Sequence, residues 1–498
     1  MKKILTIILD GFGYREDLRG NAIKDANMEC FNKLWEEYPH SLLEASGKYV
    51  GLKEDKFGNS ETGHQTIGAG RLVKQHETLV DEFLNSDVLE NEAFQSLLLN
   101  KDKEIHLMGL CSDGYVHSNI ESIIKFYELL VKNGFTKIHF HIITDGRDTD
   151  IHSSLKYISM IQKAIKILKV GDIATICGRF YAMDRDKRYE RTKKYYDLVT
   201  KGIGIETLDV KTIINTMYDN KITDEFLEPI LVDQKGLIKN GDILIWLNYR
   251  EDRAKQIISA FTNPEFEGFN TYNMSDLKVY SLLPIDENIN TIYFSNAENI
   301  TNPLGVYLSK LGLTQARIAE TEKFAHVTYF FDGGYTGKLP KCNQFLIPSP
   351  KVATYDMKPE MSAVDITKKA IECMSQDYDF ILMNFANTDM VGHTGNYDAT
   401  VRACMAVDIC LKKIIEKAEE NFYKVIITAD HGNADIMLDE EGNRITTHTT
   451  SKVPFIITDK NIELKETGDL TMVAPTILEY MDIAEPDEMS ETENLLKK

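Results

Sequence analysis

Cysteine is scarce in this sequence and shows no pairing pattern. The seven cysteines (Cys30, Cys111, Cys177, Cys342, Cys373, Cys404 and Cys410) are odd in number and form no CxxC pair. That argues against a disulfide framework and a cysteine-based zinc site, and points to a reducing, cytoplasmic setting. Proline (12) and glycine (30) are too few among 498 residues for collagenous or low-complexity architecture. No apolar run approaches the roughly 20 residues of a membrane span. The opening run Ile4–Leu9 is interrupted by Asp10 and has no small-residue cleavage site behind it, so it reads as a buried strand rather than a signal peptide. Positive charge is in deficit as well: 57 Lys and Arg face 77 Asp and Glu, a formal charge of −20. Such a chain repels nucleic acid and anionic membranes. It can bind a phosphorylated metabolite only where cations are concentrated locally.

The remaining composition, 43% hydrophobic and 27% charged, is that of an ordinary globular protein. Its length predicts about two to four domains. Short β-branched runs alternate with longer amphipathic stretches, the pattern of a parallel-sheet α/β fold. Expected strands include Ile4–Leu9, Ile138–Ile143, Ile173–Cys177, Ile243–Leu247, Phe380–Asn384 and Val425–Thr428. Expected helices include Ile120–Lys132, Ser154–Leu168, Met361–Met374 and Asp398–Lys417. The polar tail Glu485–Lys498 reads as a solvated end.

Ligands of open α/β sheets bind beyond the carboxyl ends of the strands. Near both termini of the chain, strands end in acids or acid–histidine pairs: Asp10, Asp389 and Asp430-His431. In the middle they end in arginine: Arg147, Arg179 and Arg250. Acids and imidazoles suit metal ions, whereas arginines suit phosphate or carboxylate. The chain therefore divides by chemistry into an interrupted metal half and an inserted anion-binding half.

In the metal half, Asp389 and His393 stand one helical turn apart, Asp430 and His431 are adjacent on a turn, and His448 lies among threonines. Together they favour a dinuclear oxygen/nitrogen site, suited to Mn²⁺ with Zn²⁺, Co²⁺ or Mg²⁺ as alternatives. Ser60, in Gly58-Asn59-Ser60-Glu61-Thr62-Gly63-His64, reads either as a plain helix N-cap or as a nucleophile activated by metal. In the anion half, residues 178–194 carry seven cations against three acids, part of the stretch reading as a helix with an Asp184–Arg188 pair. Arg179 and Arg185 are the preferred ligands there. Arg250 and Arg253 share one face if a helix begins at them, Arg147 adjoins Asp148, a possible proton carrier, and His117 stands in a further loop.

These blocks, in order, resemble the cofactor-independent (2,3-bisphosphoglycerate-independent) phosphoglycerate mutases of the alkaline phosphatase superfamily. They run from DGFG (10–13), GNSETGH (58–64), IGAGR (67–71), SDGYVHS (112–118), DGRDT (145–149) and GRFYAMDRDKRYER (178–191) to NYREDR (248–253). AETEKFAHVTYFF (319–331), SPKVATYD (349–356), NFANTDMVGHTG (384–395), ADHGNAD (429–435) and THTT (447–450) complete the series. The resemblance implies an alkaline-phosphatase-like metal domain at 1–75 and 302–498, interrupted by an α/β substrate-binding domain at 76–301. It implies interconversion of 3-phosphoglycerate and 2-phosphoglycerate in glycolysis and gluconeogenesis, by a monomer using two Mn²⁺ and no bisphosphoglycerate.

Carried over by motif, Asp389, His393 and His448 hold one metal, and Asp10, Ser60, Asp430 and His431 the other. Ser60 takes the phosphoryl group. His117, Arg147, Asp148, Arg179, Arg185, Arg250 and Arg253 bind substrate, with Asp148 moving protons, and Lys323 lies beside the phosphate in transit. The chain departs from the usual family pattern at Phe12, Phe57, Thr62, Lys255 and Asp332, none of them an implied metal ligand. A phosphopentomutase or phosphomonoesterase would share the metal residues without needing the arginine blocks. An inactive binding protein would have lost Ser60 or a ligand, and none is lost.

Overall fold

The computed structural model describes residues 2–296 and 299–497. The chain forms two compact units, Met1–Gln75 with Glu298–Lys498, and His76–Ala297.

The first unit is built on the run Lys3–Leu9, whose apolar residues are buried on both faces of the strand. Burial on both faces is what a parallel sheet sandwiched between helices requires. Phe380–Phe385 and Tyr423–Thr428 flank it, both parallel, with Ile8 opposite Asn384 on one side and Thr428 on the other. That register brings the residues following three apolar strands, Asp10, Asp389 and Asp430, to the carboxyl end of the sheet at its centre. Gln315–Glu320 and Cys342–Ile347 extend the sheet beyond Phe380–Phe385; Val453–Ile457, His40–Glu44 and Thr467–Asp469 extend it beyond Tyr423–Thr428. Among the described strands of this sheet, only Val453–Ile457 runs against the others.

The second unit repeats the logic. Ile105–Leu110 and Ile138–Thr144 pair in parallel at its centre, with Ile243–Trp246 and Asp172–Gly178 outside them. Leu110 lies opposite Ile143, and Thr144 opposite Gly178. The segments bearing His117, Arg147, Arg179 and Arg250 therefore leave from the same end of the sheet.

Two local expectations are corrected. The helix expected from Met361 begins at Ala363, because Met361 takes a left-handed φ of +44° that no helix accommodates. The C-terminal tail is not simply solvated: Met489 and Leu495 are fully buried, and Leu495 N–H donates to Thr476 Oγ1 at 2.9 Å. Among the described residues, no helix is long and apolar enough to cross a membrane.

Candidate functional site

Asn59, not Ser60, caps the helix Ser60–Ala69. Its Oδ1 accepts from Thr62 N at 2.9 Å and Thr62 Oγ1 accepts from Asn59 N at 3.3 Å, a reciprocal capping box. Of the two readings of Ser60, the plain N-cap is thus set aside, since its neighbour caps the helix and leaves the serine hydroxyl free for other partners. Ser60 Oγ lies 3.1 Å from Asp10 Oδ1, 3.0 Å from His431 Nε2 and 2.7 Å from Lys323 Nζ. The helix meets the Asp430 turn so closely that a Cβ on Gly63 would stand 2.5 Å from the Asp430 carbonyl oxygen.

Three carboxylates converge here out of water. Asp10 Oδ1 accepts from Lys323 Nζ at 2.6 Å and Oδ2 from Asn384 Nδ2 at 2.8 Å. Asp389 Oδ2 accepts from the same ammonium at 2.6 Å, and its Oδ1 from Asn433 Nδ2 at 2.9 Å. Asp430 Oδ2 is buried and accepts no well-aligned hydrogen bond among the described residues, with His64 Nδ1 lying 3.1 Å away. Burial is the largest effect on the Asp10 and Asp389 carboxyls and pushes them up, but Lys323 together with the neighbouring histidines, His431 beside Asp10 and His393 and His448 beside Asp389, outweighs it and holds both well below the usual carboxylate range. Burial likewise disfavours charge on Lys323 and His431. Asp10 and Asp389 nevertheless hold Lys323 above its ordinary value, and Asp430 leads the acids that push His431 up to about 9.

The imidazoles are arranged as ligands. His393 Nδ1 is 2.8 Å from the Thr446 carbonyl oxygen and His448 Nδ1 is 2.8 Å from that of Gly58, so both Nδ1–H groups donate to backbone. Both Nε2 atoms then face Asp389 Oδ1 at 3.2 Å, and the two nitrogens are 3.0 Å apart. The hydrogen bond to Asp389 raises the His393 pKa, so its Nε2 lone pair is open to a metal once the ring is neutral. Lone pairs steered onto one point by carbonyls behind them are the arrangement of metal-ligating histidines. Possible ligand atoms of Asp389, His431 and His448 lie within 4.8 Å of one another, as do those of Asp10, His64 and Asp430. With carboxylates and imidazoles converging and Asp430 Oδ2 short of a well-aligned donor, the residues fit divalent cations.

His64 and Asn384 were not singled out from the sequence. His64 Nδ1 donates to the Ser60 carbonyl at 2.9 Å, and Nε2 accepts from Asn384 Nδ2 at 3.1 Å. With both ring nitrogens engaged, His64 braces Asn384 and through it Asp10. Its four-residue spacing from Ser60 was the available signal.

In the second unit, Arg179 Nη1 is 2.7 Å from Asp145 Oδ1 and also pairs with Asp148. Arg147 Nε donates to Glu225 Oε1 at 3.0 Å. Arg185 Nη1 is 2.6 Å from Asp252 Oδ2, while Arg250 Nε and His117 Nδ1 lie 3.2 and 3.8 Å from Asp252 Oδ1. Arg253 Nη1 donates to the Met183 carbonyl at 2.9 Å. Burial and the charges of Arg179, Arg185 and Arg147 lower the Arg253 pKa, and burial with Arg179 pushes His117 down to about 4. Arg147, Arg179 and Arg253 line a cavity of about 60 Å³ together with Arg188 and Arg191 and the acids Asp184, Asp186 and Glu225, a net excess of cations suited to an anionic group.

Two expectations fail here. Arg250 and Arg253 do not share a helical face, because the helix begins only at Lys255. Asp184 and Arg188 do form a pair, at 3.8 Å, but in the irregular segment before the helix Tyr189–Lys201. The acids Asp145, Glu225 and Asp252, which hold the arginines in place, were not anticipated.

A family model described as the Metalloenzyme superfamily matches residues 2–485. A 2,3-bisphosphoglycerate-independent phosphoglycerate mutase from Clostridioides difficile (strain 630) is 43% identical over 501 residues, covering 98% of each chain. The chain belongs to this mutase family. The mutase of that name from Staphylococcus saprophyticus is also 43% identical, over 97% of each chain. The crystal structure of Leishmania mexicana phosphoglycerate mutase at low cobalt concentration superposes with a TM-score of 0.71. It is 29% identical, over 100% of this chain and 98% of that one. The two-unit α/β architecture is thus that of a mutase, the enzyme class is isomerase, and the metal-competent cluster accords with a metalloenzyme superfamily dependent on divalent cations.

Proposed function

We propose that this chain interconverts 3-phosphoglycerate and 2-phosphoglycerate by passing the phosphoryl group through Ser60, without 2,3-bisphosphoglycerate. The observation that carries this is the Ser60 hydroxyl, buried between Asp10, His431 and the Lys323 ammonium. Serine is a weak nucleophile that needs such activation. Asp389, His393 and His448 would hold one divalent ion, and Asp10, Ser60, Asp430 and His431 the other, with Mn²⁺ favoured over Zn²⁺, Co²⁺ and Mg²⁺ by the donor set. When bound, the ions act as Lewis acids that favour the serine alkoxide and neutralise phosphoryl charge.

The chain's own residues do the rest. Lys323 stays protonated and presents a fixed positive charge at Ser60 Oγ, stabilising charge on the oxygens in transit. Arg147, Arg179, Arg185, Arg250, Arg253 and neutral His117 hold the glycerate carboxylate and hydroxyls while it re-orients. Asp148, ion-paired to Arg179, exchanges protons with those hydroxyls. The unit Met1–Gln75 with Glu298–Lys498 is thus the phosphoryl-transfer domain and His76–Ala297 the substrate-binding domain. A monomer in the cytoplasm suits the free cysteines and the family.

The test is acid quenching during turnover of 3-phosphoglycerate, followed by peptide mapping. Phosphate on the Ser60 peptide is expected; steady turnover with Ser60 never modified would remove the intermediate.

A further inference from the structure

Arg185 and Arg253 lie in blocks far apart in the sequence, and one uncharged side chain of the second unit ties those blocks together. The segment Asp184–Arg188 runs between the helices Arg179–Ala182 and Tyr189–Lys201 without regular structure. Lys187 in it takes a left-handed φ of +59°, which a residue with a Cβ adopts only when its surroundings impose it. The Arg185 side chain is 47% exposed, so packing alone does not fix its direction.

The turn is held from inside. Asp184 Oδ1 accepts from the backbone N–H of Asp186 at 3.0 Å and of Arg188 at 2.9 Å. Gln256 then secures both ends of this arrangement. Its Oε1 accepts from Lys187 N at 3.0 Å, while its Nε2 donates to Asp184 Oδ1 at 3.1 Å and to Thr192 Oγ1 at 2.6 Å. Gln256, Asp184 and Thr192 are all buried. Gln256 sits in the first turn of the helix Lys255–Thr262, directly after the segment carrying Arg250 and Arg253. Arg253 returns the connection by donating to Met183 O at 2.9 Å.

An amide is the group this position needs. It must accept from an N–H on one side and donate to a carboxylate on the other; ionised glutamate cannot donate, and methionine offers neither bond at useful strength.

We propose that Gln256 is a positioning residue for substrate binding: it locks the turn bearing Arg185 against the segment bearing Arg250 and Arg253, so that guanidinium groups from both blocks address one anionic group. Naming that group as a carboxylate or phosphate of phosphoglycerate rests on the mutase reading above. An orientation of ground-state contacts acts on binding, so loss of the tie raises KM and leaves kcat nearly unchanged.

Two measurements on the full-length, Mn²⁺-loaded protein separate the tie from its consequence. Hydrogen exchange of Gln256→Met, read on the 184–188 segment, should be faster than in the unaltered protein; unchanged exchange would overturn the tie whatever the enzyme's activity. Steady-state kinetics with 3-phosphoglycerate should show KM raised about tenfold, the worth of one hydrogen bond to a charged group, with kcat within about twofold. Gln256→Glu, which sets a carboxylate against Asp184, should raise KM further. In an Arg185→Ala background, Gln256→Met should add little, since both changes remove one guanidinium from its place. Faster exchange with unchanged KM, or full additivity with Arg185→Ala, would overturn the positioning role. Failure of the unaltered protein to turn over 3-phosphoglycerate would instead defeat the mutase reading, with hydrogen exchange still deciding the tie.

Discussion

Lys323 Nζ stands 2.7 Å from Ser60 Oγ and divides its remaining hydrogen bonds between Asp10 and Asp389. An ammonium held this way cannot serve as a base; it can only hold charge. Lys323→Met is therefore expected to lower kcat by about 10²–10³-fold, the usual loss of a fixed electrostatic contact to transferring oxygens. Ser60→Ala should abolish transfer. Circular dichroism should show both folds intact. A Ser60→Ala variant with substantial mutase activity would remove the serine from the reaction.

Metal loading should release protons. In the ion-free protein His431 keeps its proton up to about pH 9, so a cation binding at neutral pH must displace it. Apparent Mn²⁺ affinity and activity should both fall from pH 8 to pH 6, with excess Mn²⁺ partly restoring the rate. A chelator should abolish activity reversibly. The stability consequence has a definite sign. A histidine raised above its ordinary 6.5 stabilises the ion-free fold fully below that pH and ceases to do so as pH rises through about 9. Mn²⁺ should thus protect the fold most above pH 8, read as the difference in thermal midpoint with and without the ion. A flat activity profile between pH 8 and 6 would contradict this.

Glu320 ends the strand Gln315–Glu320 buried, with no well-formed hydrogen bond to either carboxylate oxygen among the described residues and only weak ones from Ser349 and Ser362. Burial pushes it up to about 7, and Ser349 and Ser362 offset only part of that effect. Because its pKa is raised on folding, stability is complete below its unfolded value of 4.5 and declines as pH rises through about 7. Glu320→Gln should therefore stabilise the protein at pH 8, by at most about 3 kcal/mol, and have little effect at pH 4.5. Thermal denaturation at the two pH values checks it; equal shifts at both would be inconsistent with a buried, titrating Glu320.

Much of this site could be read from the chain because acids interrupting β-branched runs are conspicuous. Asp10, Asp389 and Asp430 each follow an apolar strand, and parallel register does the rest. The helix cap was less legible: Asn59 and Ser60 are adjacent residues both able to cap, and only the reciprocal bond with Thr62 decides between them. The spacing of Arg250 and Arg253 suggested a helix, yet the chain turns there and becomes helical only at Lys255. The pairings of Asp252 with Arg185 and of Glu225 with Arg147 gave no signal, since a pairing between residues distant in sequence has no period.

Arg317 and Asp332 form a buried pair within the first unit. Arg317 Nη2 lies 3.4 Å from Asp332 Oδ1 and 2.8 Å from Gln315 Oε1, with its guanidinium near the rings of Phe331 and Phe380. Arg317→Met leaves Asp332 as an uncompensated buried acid and should cost about 3–5 kcal/mol. Adding Asp332→Asn should recover part of that loss. Urea unfolding of the two variants tests the coupling; equal stabilities would show that the pair is not coupled.

The central claim concerns the fate of the phosphoryl group. The direct measurement incubates the purified protein with Mn²⁺ and 3-phosphoglycerate, without 2,3-bisphosphoglycerate, and follows 2-phosphoglycerate and free phosphate together. The expected result is accumulation of 2-phosphoglycerate to equilibrium with little phosphate released; phosphate release without 2-phosphoglycerate, or no turnover at all, would contradict it.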